Sequence, residues 1–201
     1  MGRILSFNED NHEYQINGEV VPSVSEIIRF ISREVYGEVA QYLLDTAADR
    51  GTRVHKATQM LDVVHEVECD DDIAPYVRAY VDFINEHKPQ WEFIEKSMYN
   101  PDKKYAMTID RYGVMNDKKI LLDIKTSSSL QTVLVTAQLT LYKMGLESNG
   151  INVEECYVLR LSKDGKYHLK KIDEDKELAN SCLCLHERLV KRKKVKRVER
   201  N

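Results

Sequence analysis

The sequence lacks any apolar run long enough to cross a membrane, and its first residues, MGRILSFNED, lack the apolar core of a signal peptide. We therefore expect a cytoplasmic protein without membrane contact. Internal repeats and low-complexity linkers are absent as well. The 201 residues are expected to form a single domain, a length that allows a substantial buried core.

Cysteine is scarce and irregularly spaced. Cys69, Cys156, Cys182 and Cys184 fit no closed zinc pattern. An iron–sulfur or zinc site is the alternative, but Cys182 and Cys184 stand two residues apart in a helical stretch, where side chains point away from each other. The sequence therefore predicts unreactive, mostly buried thiols.

A large excess of either charge is also missing, because the net charge is only −3. The whole chain is thus not a generic binder of polyanions. The segment 191–197 differs, since six of its seven residues are cations. This segment suits nucleic-acid contact, but it equally suits a solvated helix end or a frayed tail, because cations stabilise helix C-termini.

Turn and capping signals organise the N-terminal part, residues 1–90. Asn17 and Gly18 predict a hairpin over residues 12–21. Ser23 and Glu26 form a capping-box pattern that predicts a helix to about Ser32. Further helical patterns follow at 37–49, 51–66 and 73–88, with Gly51 between the first two. Pro75 near the first turn of the last one favours its start there.

From Trp91 the period changes to two, which predicts strands at 91–99, 104–115 and 118–126. Residues 130–146 are apolar nearly all round and predict a buried helix. A second hairpin, 157–161 with 167–172, is predicted across Asp164 and Gly165. Residues 91–172 are thus the expected sheet core, and residues 173–201 a final helix with a basic tail. Asp173 is the expected cap of that helix, and its apolar stripe is Leu178, Cys182, Leu185 and Leu189.

The strands at 104–115 and 118–126 carry charge where packing favours apolar residues. A turn centred on Asn116 and Asp117 places Asp110 opposite Asp123, with Cβ atoms roughly 4.5–5.5 Å apart. Lys125 shares their face because it stands two residues beyond Asp123. The same alternation directs Met107, Ile109, Leu122 and Ile124 to an apolar face.

Two carboxylates about 5 Å apart repel each other by roughly 3 kcal/mol at an effective dielectric near 20. A divalent cation would offset that repulsion, and Mg²⁺ is typically held by one or two carboxylates together with waters and phosphate oxygens. This chemistry suits phosphodiester hydrolysis, in which a lysine orients water or neutralises developing charge. The alternative is a solvent-facing hairpin with a weak Asp–Lys pair.

Four other residues are candidates for the same site. Gln138 and Tyr142 share a face of the predicted helix 130–146, where a buried Gln needs a partner. His55 lies off the apolar stripe of its helix and could ligate a metal, although a surface histidine is the alternative. Glu95 lies on the preceding strand, where it either joins the acidic cluster or faces solvent.

Taken in order, "RGTRVH", "EKSMYNPDKKYAMTIDRYG", "LLDIKTS" and "AQLTLY" resemble the motifs of the PD-(D/E)XK nuclease superfamily, in its RecB-like and phage-type exonuclease branch. "HEYQINGEVVPSVSEII" is similar to the opening of phage or prophage members. The resemblance spans roughly residues 12–145. It implies an α/β (α+β) protein with a restriction-endonuclease-like core: a mixed sheet flanked by helices, a helical N-terminal half, and the site at one sheet edge.

The resemblance also implies roles. His55, Asp110 and Asp123, with the carbonyl of Ile124, would bind Mg²⁺, for which Mn²⁺ would substitute. Lys125 would be the catalytic lysine, Gln138 and Tyr142 would support the site and contact DNA, and Glu95 would be an additional metal ligand. Two positions depart from the pattern. Ile109 replaces the superfamily's proline, and Met107, which alternation directs into the core, replaces a frequent glycine.

The expected function is therefore a Mg²⁺-dependent deoxyribonuclease, an exonuclease in phage recombination or DNA repair that leaves 5′-phosphate and 3′-hydroxyl ends. Its expected partners are DNA and a recombination protein, and family exonucleases can form rings, so an oligomer is compatible with the sequence. The alternative is a DNA- or partner-binding module that keeps the fold without turnover. A third reading is an unrelated α/β protein with a charged hairpin.

Overall fold

The computed structural model describes residues 4–8 and 13–198 of the chain. Its elements follow in the order β1 (Leu5–Asn8), β2 (Glu13–Ile16), β3 (Glu19–Val21), α1 (Val24–Ile27), α2 (Arg29–Tyr36), α3 (Gln41–Val64), α4 (Ala74–His87), β4 (Gln90–Asn100), β5 (Tyr105–Met115), β6 (Lys118–Lys125), α5 (Thr132–Glu147), β7 (Glu155–Leu161), β8 (Tyr167–Ile172) and α6 (Lys176–Val198). Helices give way to strands at Gln90, one residue before the predicted position, which confirms the predicted helical N-terminal half.

The predicted N-terminal hairpin is present as β2 and β3. Asn17 and Gly18 have φ angles of 51° and 85°, the positive values that a type I′ turn requires. The structure adds β1, which pairs antiparallel with β2 and completes a three-stranded sheet. The predicted capping box is also present, because Ser23 and Glu26 each accept a hydrogen bond from the other's backbone N–H.

Gly51 does not separate two helices, so that prediction is wrong. The chain from Gln41 to Val64 is one helix, α3. A single glycine inside a helix costs only about 1 kcal/mol relative to alanine, and the apolar stripe on either side of it continues in phase. Val54 and Ala57 of that stripe are buried against α4. The helix that begins at Ser23 likewise runs beyond the expected end at Ser32, as α1 followed by α2.

The main sheet has the strand order β4-β5-β6-β7-β8. β6 and β7 are parallel, and the other neighbours are antiparallel, which confirms the predicted mixed sheet flanked by helices. The buried helix α5 connects the parallel pair, as such a crossover requires. Helices α1, α5 and α6 cover one face of the sheet, and α3 and α4 cover the other.

The register predicted for β5 and β6 is confirmed. Asn116 and Asp117 have φ angles of 52° and 60°, as in a type I′ turn. Residues pair from Met115 with Lys118 to Arg111 with Leu122. Continued by one more pair, this register places Asp110 opposite Asp123.

The single apolar face predicted for these strands is wrong. Met107 and Ile109 are buried in the core beneath α5, whereas Leu122 and Ile124 are buried in the core on the opposite face. Two physical reasons apply. Helices cover both faces of this sheet, so both faces of β6 carry apolar side chains. In β5, Ile109 and Tyr112 lie in the same cluster although they are three residues apart, so alternation is interrupted between them.

The second hairpin is confirmed, since β7 and β8 pair antiparallel around Gly165. The cap of α6 is Asp175 and not Asp173, because the Asp175 side chain accepts the N–H of Leu178 at 2.8 Å. The predicted stripe is buried only at its start. Cys182 is buried and Leu178 packs against the core, whereas Leu185 and Leu189 are exposed.

The four cysteines are free thiols that form no disulfide. Cys156 and Cys182 are buried, Cys69 is half-buried and Cys184 is exposed, so "mostly buried" holds for only two of them. Within residues 4–8 and 13–198, every helix is too short or too polar to cross a lipid bilayer.

Met107 packs directly against Gly145 of α5. A Cβ atom added at Gly145 would overlap the Met107 Sδ and Cε atoms. We expect Gly145→Ala to lower the free energy of unfolding by up to about 2 kcal/mol, because overpacking of about 1–3 kcal/mol is partly offset by the better helix propensity of alanine. Urea denaturation measures the effect. In a Met107→Ala background the same substitution should be neutral or stabilising; an equal loss in both backgrounds would disprove the contact.

Candidate active site

Six of the predicted site residues line one cleft of about 1190 Å³: His55, Glu95, Asp110, Ile124, Lys125 and Tyr142. The other two, Asp123 and Gln138, contact Lys125 of that lining. The walls of the cleft come from the N-terminal sheet, α1 and α3, and its floor from β4, β5 and β6. The floor lies where the β5–β6 ladder ends, since Arg111 with Leu122 is the last pair before Asp110 and Asp123. Beyond this pair, backbone groups of β6 are available to side chains and are not paired with the β5 backbone.

Asp110 takes the place of a ladder partner. Its Oδ2 accepts the backbone N–H of Ile124 at 2.7 Å, so the buried carboxylate is fixed against β6. Burial raises the pKa of Asp110 to about 6; His55 opposes this rise, and the negative charges of Asp123 and Glu95 add to it. Ionisation of Asp110 therefore costs free energy in the folded protein, and a bound cation would offset that cost.

His55 points into the cleft and not to the surface. Its Nδ1 lies 3.0 Å from Glu95 Oε1 and 3.7 Å from Asp110 Oδ2, and its Nε2 lies 3.1 Å from the carbonyl oxygen of Ile124. Burial favours the neutral ring, but the carboxylates of Asp110 and Glu95 outweigh burial and raise the pKa of His55 to about 9. Potential metal-ligand atoms of His55, Glu95 and Asp110 lie within 4.8 Å of one another.

A second group consists of Asp123, Lys125, Gln138 and Tyr142. Gln138 Nε2 donates to Asp123 Oδ1 at 2.9 Å and to the Tyr142 hydroxyl at 3.0 Å, while its Oε1 accepts from Lys125 Nζ at 3.1 Å. Gln138 is half-buried, and the partners expected for its amide lie within the chain. Burial, together with the charges of Asp110 and Asp123, raises the pKa of Tyr142 well above its usual value.

Lys125 stays charged although it is inside the cleft. Burial disfavours the ammonium, but Asp123 and Asp110 outweigh this and raise the pKa of Lys125 above its usual value. Its Nζ lies 3.0 Å from Asp123 Oδ1 and 2.9 Å from Oδ2, yet only Oδ1 is oriented to accept. Asp123 Oδ2 is therefore buried without a hydrogen-bond partner among the described residues.

The residues present fit a divalent cation. Asp110, Asp123 and Glu95 supply carboxylate oxygens, Ile124 a carbonyl oxygen, and His55 a ring nitrogen, a set that suits Mg²⁺ or Mn²⁺. The buried Oδ2 of Asp123 accepts no hydrogen bond among the described residues, although Lys125 Nζ lies 2.9 Å away, and burial, with the charges of Asp123 and Glu95, raises the pKa of Asp110. Both features would be relieved by a cation.

Sequence reasoning missed Arg111 and Asp62. Arg111 is completely buried, and its Nε donates to Asp62 Oδ2 at 2.6 Å. The available signal was an arginine directly after Asp110 in an apolar strand. Its partner lies on α3, 49 residues away in sequence, and no local pattern connects the two.

The comparisons with known proteins found similarity to solved structures and to nothing else. No protein-family model matches the chain. No curated protein matches it either. An alkaline exonuclease (LHK-Exo) from Laribacter hongkongensis aligns at a TM-score of 0.41 and 12% identity, covering 89% of this chain and 92% of the exonuclease. Its complex with dAMP gives 0.43 and 13%, covering 90% and 95%. A protein designated SSO0001 gives 0.41 and 17%, covering 82% and 72%. Likeness at this level describes the backbone alone, so activity must be judged from this chain's own residues.

Without divalent cations, the free energy of unfolding should fall as pH rises. The folded-state pKa of His55, about 9, exceeds its unfolded value of about 6.5. The stabilisation from its proton is complete below about pH 6.5 and is lost as pH rises through about 9, at up to about 1.4 kcal/mol per pH unit. Asp110 acts in the same direction at lower pH, because its folded pKa is also raised.

Urea denaturation in EDTA across that pH range measures the slope of the free energy of unfolding against pH. His55→Gln should flatten it above about pH 6.5, whereas a substitution of the half-buried His87, which lies on α4 outside the carboxylate cluster, should not. An equal slope in wild type and His55→Gln would contradict the assignment of the charged imidazole.

Proposed function

We propose that this protein is a Mg²⁺-dependent deoxyribonuclease that hydrolyses DNA phosphodiester bonds. The observation that carries the proposal is the convergence of His55, Glu95 and Asp110, whose ligand atoms lie within 4.8 Å of one another in the floor of a large cleft. Asp123 is buried, and its Oδ2 accepts no hydrogen bond within the described part of the chain, although Lys125 Nζ lies 2.9 Å from it. Oxygen and nitrogen ligands of this kind next to an ammonium favour a role in phosphoryl chemistry over a purely structural role.

The cation would be held by Asp110, Asp123, His55 and the Ile124 carbonyl, with Glu95 as an additional ligand, and Mn²⁺ would substitute for Mg²⁺. When bound, the cation supplies polarisation of the phosphate and lowers the pKa of water. Asp110 is already oriented for this role, because the Ile124 N–H holds one of its oxygens. His55 would act as a neutral ligand after losing its proton to solvent.

Lys125 would orient the attacking water and neutralise charge on the phosphate as it develops. Its ammonium is fixed by Asp123 and by the Oε1 atom of Gln138, so its position does not depend on the substrate. Gln138 is fixed in turn by the Tyr142 hydroxyl. A charge that is already in position stabilises a transition state more than a solvated charge does, because no reorganisation is needed as the reaction proceeds.

The finer parts of the proposal rest on the order and identity of the sequence motifs. We infer an exonuclease of phage recombination or DNA repair that leaves 5′-phosphate and 3′-hydroxyl ends. DNA would be the substrate, and a recombination protein and further copies of the chain are candidate partners. The basic segment 191–197, which continues α6, is a further candidate DNA contact.

Incubation with linear and covalently closed circular DNA in Mg²⁺, Mn²⁺ or EDTA tests the proposal. We expect linear DNA to be degraded, circular DNA to be spared, and EDTA to stop the reaction. Cleavage of the circle would indicate an endonuclease. If the protein binds both Mn²⁺ and DNA without cleaving either DNA, it is a non-catalytic binding module, and the proposed hydrolysis is wrong.

A further inference from the structure

A buried arginine connects the candidate metal ligands to α3. Arg111 Nη1 donates to Glu95 Oε1 at 3.0 Å and to the carbonyl oxygen of Asp110 at 2.7 Å. On its other side, Nε donates to Asp62 Oδ2 at 2.6 Å, and Nη2 donates to Thr58 Oγ1 at 3.1 Å. Arg111 is 0% exposed, so its guanidinium relies on these protein contacts in place of water.

One carboxylate, that of Asp62, is sufficient to neutralise the charge of Arg111. The Asp62 side chain is only 5% exposed and also accepts the Tyr80 hydroxyl at 2.6 Å, so it is well satisfied beside the guanidinium. A buried ion pair of this kind gives little net stability, because desolvation of both charges offsets their attraction. The addition of Glu95 as a second carboxylate is therefore not explained by neutralisation of the arginine.

Glu95 is also held in a strained backbone conformation. Its φ is 47°, in the left-handed region, although it lies inside β4 and is not glycine. Such a conformation costs about 1 kcal/mol or more and persists where surrounding contacts impose it. In this conformation the Oε1 atom contacts both Arg111 Nη1 and His55 Nδ1.

The same contact fixes the ring of His55. With Nδ1 on Glu95, the other nitrogen, Nε2, faces the Ile124 carbonyl, another of the candidate ligands. A carboxylate on one ring nitrogen is the usual means by which proteins orient a histidine ligand, and loss of such a partner typically lowers metal affinity 10–100-fold. Arg111 in turn fixes that carboxylate.

We propose that Arg111, held by Asp62, is a positioning residue of the metal site, which fixes Glu95 and thereby the ring of His55. This inference rests on the proposed function, since it concerns the same cation. It assigns no contact with substrate or metal to Arg111 itself. Asp62, Arg111, Glu95 and His55 thus form one chain of contacts from α3 through the sheet and back to α3.

Isothermal titration of the full chain with Mn²⁺, without DNA, tests the inference. Arg111→Met should weaken Mn²⁺ binding about 10–100-fold, and Asp62→Asn should weaken it less, because the asparagine keeps an acceptor for Arg111 Nε. Tyr105→Phe is the matched control. It removes a buried hydroxyl that donates to the Leu141 carbonyl in the core beneath α5, so it destabilises the fold without touching the chain of contacts.

The ¹⁵N ring signals of His55, assigned with His55→Gln, give a second readout in metal-free protein. They should change in Arg111→Met and Asp62→Asn and stay unchanged in Tyr105→Phe. If Arg111→Met does not fold, Asp62→Asn decides. If the wild type binds Mn²⁺ and the folded variants have the same affinity and the same His55 ring signals, the inference is overturned and the proposed function is not. If the wild type binds no Mn²⁺, the proposed function is overturned together with the inference.

Discussion

Lys125→Ala is expected to reduce DNA hydrolysis roughly 10²–10⁴-fold while the protein still binds DNA. The ammonium is held between Asp123 and Gln138 and remains charged, since Asp123 and Asp110 raise its pKa. Removing a charge that acts mainly in the transition state should lower kcat and leave KM close to its original value. Steady-state kinetics on linear DNA with Mg²⁺ measures both constants.

Lys118→Ala is the matched control for that experiment. Lys118 lies at the other end of the same strand, where it pairs with Glu155 and is half exposed. Its removal should leave kcat unchanged, because exposed pairs of this kind contribute little. Thermal unfolding of Lys125→Ala should be recorded as well, since the variant leaves the buried Asp123 without its cation. A folded Lys125→Ala with the wild-type kcat would refute the catalytic assignment.

Asp110→Asn is expected to reduce hydrolysis at least about 10²-fold and, at the same time, to stabilise the metal-free protein. Burial raises the pKa of Asp110 to about 6, so above that pH the ionised carboxylate destabilises the fold. Removing the charge should increase the free energy of unfolding by on the order of 2–3 kcal/mol at neutral pH. An asparagine Oδ1 can still accept the Ile124 N–H that Asp110 accepts now.

Thermal unfolding in EDTA and in Mn²⁺ measures both effects. Wild type should gain stability from Mn²⁺, whereas Asp110→Asn should start more stable and gain little. Asp117→Asn, in the exposed turn of the same hairpin, should behave like wild type in both conditions. Equal stabilisation of Asp110→Asn and wild type by Mn²⁺ would show that Asp110 is not a ligand.

The register of the central hairpin could be predicted because the turn determines it locally. Asn116 and Asp117 both tolerate positive φ, and a two-residue turn fixes every later pair. The faces of the strands could not be predicted the same way. Alternation identifies one buried face, but here helices cover both faces, and β5 breaks the alternation between Ile109 and Tyr112.

The convergence of the site was only partly visible in the sequence. The motif order placed His55, Glu95 and Asp110 among the candidates, and spacing alone related Gln138 to Tyr142. The left-handed conformation of Glu95 has no local sequence signal, since glycine or asparagine is the usual residue there. Arg111 and Asp62 were missed because their contact joins a strand to a helix that is distant in sequence.

Every role proposed for these residues depends on a divalent-cation site in the floor of the cleft. Anomalous scattering from crystals soaked in Mn²⁺ tests this most directly. We predict one peak about 2.0–2.3 Å from carboxylate oxygens of both Asp110 and Asp123, with His55 as a further ligand. A peak elsewhere, or no peak in crystals whose Asp110, Asp123 and Lys125 are ordered as described, would contradict the claim.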